Sequence, residues 1–405
     1  MTQGPLDAVA PAHVPGGVRV YAALLRTPEA ARLLGGALLG RAQLGMASLA
    51  ILLVVHDRTG SFADAGLAVG VFGAVGAAFT PVLGRLVDRL GQVVVLAVCG
   101  GAQSVAFVVL AIDARRSASL AELVATVALA GVSLPPLASC MRALWPVLVP
   151  DPSRRETAYT LDAISQELIW TLGPLLVAVF VAVWSASVAM VACAALTATG
   201  VTIFVTSPTA RRWRAEDAHR SWLGPLSSRR IRALLACIAV ASLGTGICQV
   251  AIPAIGVRAG SPASAGVLLG VWSLGSMIGA IAVGAIRWRV RVTTRYWMLY
   301  LVLAALTLPL VWCRSIPSGI GFAFVAGLPL AALIGYQYTL VSSAAPRGTL
   351  TEAFAWNSAA AFGALASGSA LGGWMIKQYG LGAAFAVATL AALAGAATAI
   401  ALVRR

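Results

Sequence analysis

The chain has 405 residues, of which 60% are hydrophobic and 11% charged, with a mean hydropathy of +0.89. A soluble globular domain of this length needs far more charge on its surface, so that class is excluded. The net charge of +15 raises nucleic acid as a partner, but no aromatic-and-basic platform accompanies the arginines, and nucleic-acid binding is set aside.

In chain order, a polar, Pro/Gly-rich lead (1–29) precedes twelve apolar stretches, each close to the ~20 residues that cross a bilayer as a helix. They cover 30–55, 64–87, 92–112, 119–147, 158–183, 186–206, 231–255, 264–286, 295–313, 317–343, 350–376 and 380–402. The first is too long for a signal peptide and lacks a small-residue cleavage site, so it is expected to stay in place. The only sizeable internal polar segment, 207–230, divides the chain into six-span bundles at 30–206 and 231–405. The fold class expected is an all-α membrane protein of two pseudo-symmetric six-helix bundles.

Two matches mark the halves as copies. Span 2 carries Gly66, Gly70, Val71 and Gly84, and span 8 carries Gly266, Gly270, Val271 and Gly284. Leu134-Pro135 in span 4, with Pro152 and Thr157, returns at a constant offset as Leu328-Pro329 in span 10, with Pro346 and Thr351. Parallel duplication places a pseudo-two-fold axis along the membrane normal, the plan of one class of secondary transporter. The small faces at Gly66–Gly70 and Gly275–Gly279 are read as places of close helix approach.

The arginines fix the orientation. Arg85, Arg89, Arg154, Arg155, Arg211, Arg212, Arg214, Arg229, Arg230, Arg232, Arg291 and Arg295 fall on one side with the linker, whereas Arg58, Arg115, Arg116, Arg258, Arg314 and Lys377 fall on the other. The richer side is cytoplasmic by the positive-inside rule, which puts both termini in the cytoplasm of a multi-pass cell-membrane protein.

Between spans 2 and 3 the chain reads Gly84-Arg85-Leu86-Val87-Asp88-Arg89-Leu90-Gly91-Gln92. With the twelve spans and the basic central linker, this turn resembles the loop signature of the major facilitator superfamily, over nearly the whole chain. The resemblance implies a gating loop of Gly84, Arg85, Asp88, Arg89 and Gly91. In it the Asp would cap the next helix and pair with cations at the cytoplasmic face, latching the outward-facing state. The chain departs from the pattern at Gln92, usually basic, and at Trp288, which stands opposite Asp88 in the second half. Leu172-Gly173-Pro174 in span 5 is similar to the Gly-Pro core of a drug/proton antiporter signature, although a plain helix kink explains it as well.

Ionisable residues inside a span are costly and usually functional. Arg41 in span 1, Arg142 in span 4, and Asp162 and Glu167 in span 5 qualify as proton-coupling candidates. Glu167 lies roughly 13 Å along its span, near the centre of the bilayer. It either pairs with Arg41 or Arg142, or carries a proton. Asp162, nearer the inner surface, is read as a gate partner of Arg142.

Gln43, Met46, Gln166, Trp170, Gln249, Tyr336, Gln337, Tyr338, Trp356 and Asn357 are the substrate-cavity candidates, a mix of aromatic and amide groups that suits an amphipathic organic molecule. Glu352 opens span 11 and can stabilise that helix terminus.

No enzyme is expected, and no cofactor or metal. Lys377 is the only lysine and is followed by Gln378, so there is no phosphate loop. The six cysteines are dispersed through apolar spans, and His13, His56 and His219 are too scattered for zinc. The reading is a monomeric exporter of a small molecule, coupled to protons by alternating access in the lipid bilayer. A sugar or metabolite efflux carrier or uniporter is the alternative. A membrane sensor or lipid-handling protein is the alternative of another class.

Overall fold

The computed structural model describes residues 24–403 apart from 114, 115, 117, 216–222, 260, 262, 287, 289 and 314. Most of the 1–29 lead, Arg115, Arg314, His13 and His219 lie outside the described residues. Within them, twelve helices are long and apolar enough to cross a membrane. Spans 1 to 6 are Pro28–Thr59, Phe62–Leu90, Gln92–Asp113, Leu120–Leu148, Pro152–Val183 and Ala186–Val205. Spans 7 to 12 are Arg229–Arg258, Ala263–Ala285, Val292–Trp312, Ile316–Ala344, Leu350–Tyr379 and Leu381–Val403. Each overlaps its expected stretch, with ends displaced by no more than two turns. The helix starts are written in serine: the Ser61, Ser119, Ser185, Ser228 and Ser315 hydroxyls accept first-turn N–H groups, which lipid cannot satisfy.

Spans 4 and 10, expected as single helices, are each two. Span 4 breaks between Leu120–Val132 and Leu137–Leu148, and span 10 between Ile316–Gly327 and Leu330–Ala344. The breaks fall on the matched Leu134-Pro135 and Leu328-Pro329, where proline removes an N–H and its ring crowds the preceding turn. The sequence repeat is therefore a repeated kink.

Within each half, equivalent helices meet through glycine. A side chain at Gly45 of span 1 would overlap the Ile169 carbonyl of span 5, and one at Gly246 of span 7 would overlap the Leu365 carbonyl of span 11. Gly275 and Gly279 press in the same way on the Phe324 and Leu328 carbonyls of span 10. Gly66 and Gly70 do not: a Cβ at either meets nothing within 4 Å, so that stretch is not a close-approach face. The start of span 1 and the end of span 6 lie together at what we call the linker end. Arg32 donates there to Thr206 Oγ1 (2.9 Å), and Glu29 accepts from the Thr209 N–H (3.2 Å) and the Ser207 hydroxyl.

Candidate functional site: an inter-half latch and a buried charge cluster

The halves are closed against each other at the linker end. Thr349 precedes span 11 without a side-chain cap. The carboxylate of Asp88, from the other half, takes that place: its oxygens accept the N–H groups of Thr351 (3.2 Å) and Glu352 (2.8 Å). A carboxylate at a helix N-terminus satisfies orphan donors and meets the positive end of the dipole. One turn earlier in span 2, Arg85 grips Glu352 Oε1 through Nε (3.1 Å) and Nη2 (2.6 Å). Gly84 lets the helices come this close, because a Cβ there would lie 2.6 Å from that of Ala355. A second cross-half ion pair joins Arg295 of span 9 to Glu156 of span 5.

Deeper in the bundle, Asp162 is wholly buried and shared by two buried arginines. Arg41 Nη1 donates to Oδ1 (2.6 Å) and Arg142 Nε to Oδ2 (2.7 Å). Arg41 Nη2 also donates to Gln166 Oε1 (2.6 Å). Arg142 reaches into the second half, stacking over the Tyr338 ring at 3.8 Å and donating to Ser358 Oγ at 3.4 Å. The cluster holds two cations and one anion, all belonging to the first half, with one cation touching the second.

Glu167, five residues beyond Asp162, pairs with neither arginine. It is half-buried on the side of span 5 toward the Ser276 hydroxyl of span 8, and that hydroxyl accepts the Ala331 N–H at 3.1 Å. Of the cavity candidates, Gln166 belongs to the charge cluster through Arg41, and Tyr338 touches it through Arg142. Met46 is packed in the first-half core and Gln43 is buried. Gln337 donates to Asn357 Oδ1 (2.7 Å), and both are buried with Tyr338. Tyr336 is buried under Arg295. These residues are therefore buried in this conformation, Met46 in the first-half core, Tyr336 against Arg295 of its own half and Tyr338 against Arg142 of the other. Trp170 and Gln249 are exposed and Trp356 is half-buried, and Trp170 meets Phe362 of span 11 edge-on at 6.1 Å across the halves. Sequence reasoning missed Glu156, Arg295, Ser276 and Ser358. Glu352 was legible as a helix-terminus acid but not as an ion-pair partner.

The model of the Major Facilitator Superfamily matches residues 33–345. The chain belongs to this superfamily. Solved structures with this fold include a bacterial homologue of the iron transporter ferroportin in the outward-facing state, at 14% identity and a TM-score of 0.75, covering 93% of this chain and 99% of that one. The human organic anion transporter MFSD10 (TETRAN) aligns at 18% identity and a TM-score of 0.70, over 92% of this chain and 99% of that one. No curated protein matches.

As a major facilitator protein, the chain is a multi-pass membrane transporter and not an enzyme. Its latch differs from the expectation drawn from the loop signature. Asp88 caps span 11 of the opposite half rather than the next helix, and the ion pair at the loop is made by Arg85, not by Asp88. Arg89 is exposed, and Gly91 ends span 2 at φ +89°. The departures from the superfamily pattern have local roles. Gln92 is buried and donates to the Cys140 carbonyl at 3.2 Å, and the Trp288 indole donates to the Val283 carbonyl at 3.0 Å. Gly173 packs on the Gly45 backbone, so it brings spans 1 and 5 together whether or not Pro174 marks an antiporter.

Removing the trans cap should open the latch. Asp88→Ala deletes both acceptors, and an N-cap loss of about 1–2 kcal/mol shifts the ratio of closed to open linker ends by roughly 5- to 30-fold. Asp88→Asn, which keeps an acceptor but not the charge, should fall between. The readout is the labelling rate of a cysteine at Ala355, buried under Gly84, by a thiol reagent added from the linker side. Unchanged labelling in both variants would remove Asp88 from the latch.

Proposed function

We propose that this transporter exports a small amphipathic organic molecule in exchange for protons, with Glu167 carrying the proton. The observation behind this reading is the division of labour on span 5. Asp162 is committed to two guanidinium groups, so its protonation would leave two buried cations unpaired. Both arginines are taken by Asp162, so Glu167 can lose or gain its charge without stranding a buried cation. It sits on the helix that faces spans 8 and 10 of the other half, where a change of charge can bias the rocking of the halves. In the arginine-based orientation the linker end is cytoplasmic, and the conformation described here is outward-facing. The iron of the ferroportin homologue is not carried over, because among the described residues no three His, Cys, Asp or Glu side chains converge.

A thermal-shift screen of drugs, sugars and amino acids supplies a ligand for proteoliposome flux. Acid inside the vesicles should concentrate that ligand as protons leave. Counterflow without uphill accumulation would make the protein a uniporter, and binding without counterflow would make it a sensor. Orientation is tested separately. Cysteine labels at the N-terminus, in the 207–230 linker and at the C-terminus should react only from inside the cell, and reaction of any one from outside would overturn the topology.

A further inference from the structure

The linker touches both sides of the latch. Its Arg214 lies beside Gly91, where a Cβ would sit 3.2 Å from the guanidinium Nη1. Its Gly224, at φ +52°, backs onto the acid that Arg85 holds: a Cβ there would lie 2.6 and 2.7 Å from the two oxygens of Glu352. At that distance a side chain on Gly224 would have to push the carboxylate or the turn aside. The turn Gly224–Ser227 is also firmly placed. Gly224 and Pro225 are buried, Ser227 Oγ donates to the Gly224 carbonyl at 2.7 Å, and Ser228 caps span 7 immediately afterwards. Glu352 is thus held between an arginine of the first half and the backbone of the linker.

We propose that Gly224 is a positioning residue of the latch: the linker turn directs the Glu352 carboxylate toward Arg85 and so sets how much of the protein is closed at the linker end. This rests on the alternating-access reading but not on proton coupling or on the substrate. A substitution at Gly224 must displace either the turn or the carboxylate, and displacing the carboxylate weakens the Arg85 pair without removing either partner.

The test is a spin-label distance measurement across the linker end, in the full-length protein in lipid, with labels at Arg154→Cys of span 5 and Ser343→Cys of span 10, both exposed. Cys313, the one cysteine that is not buried, is changed to serine. Asp88→Ala is the reference. If it gives no longer distance, the alternating-access reading fails, independently of Gly224. With that reference in place, Gly224→Ala and Gly224→Asn should each raise the open population by about fivefold or more. Asparagine tolerates the left-handed backbone, so it isolates the contact from backbone strain and decides the matter if the alanine variant fails to fold. In a Glu352→Ala background neither substitution should have any further effect. The proposal is overturned if Gly224→Asn leaves the distances unchanged, or if its effect persists without the Glu352 carboxylate.

Discussion

Asp162→Asn should lower stability by about 3–5 kcal/mol, the usual consequence of leaving buried charge unpaired. The carboxylate has no water to fall back on, being wholly buried, and both oxygens are already used by Arg41 and Arg142. An amide in its place puts an NH2 donor against guanidinium donors and leaves two cations facing each other without an anion. Arg41→Gln should be milder, because it leaves Arg142 and Asp162 as a neutral pair and costs the Gln166 contact. Melting temperature and yield in detergent measure both. If the two variants melt together, or the asparagine variant melts with the parent, the cluster is not the electrostatic unit described.

Glu167→Gln should have the opposite profile, with little change in melting and a complete loss of uphill, proton-driven transport. Glutamine keeps the size and polarity of the side chain but cannot exchange a proton, so the coupling step stops. Exchange of substrate for substrate, which needs no net proton movement, should persist. Flux into proteoliposomes with and without a pH gradient separates the two activities. A Glu167→Gln protein that still concentrates ligand with unchanged pH dependence would sink the coupling assignment.

The twelve spans were legible because hydrocarbon imposes length and apolarity on each of them, and their order along the chain needs no tertiary information. The kinks of spans 4 and 10 were visible only as matched Leu-Pro pairs, since one proline leaves open whether a helix bends or stops. The four embedded charges stood out for their cost in lipid, but their pairing did not. Asp162 and Glu167 are on one helix, and which of them faces Arg41 is settled by rotation about that helix. Arg85 with Glu352 was beyond reach for another reason: the partners are far apart in sequence, and an acid in the first turn of a helix is ordinary.

The cap on span 11 has a consequence for how this protein can be watched at work. The donors belong to one half and the acceptor to the other, so any opening of the linker end leaves the first turn of that helix without Asp88, its N–H groups turned toward water. The amides of Thr351 and Glu352 should then exchange hydrogen at a rate set by the opening equilibrium, while amides deeper in the same helix stay protected. Isotope uptake at these two positions would report the conformational cycle in the unmodified protein, with no label, no ligand and no knowledge of what is carried.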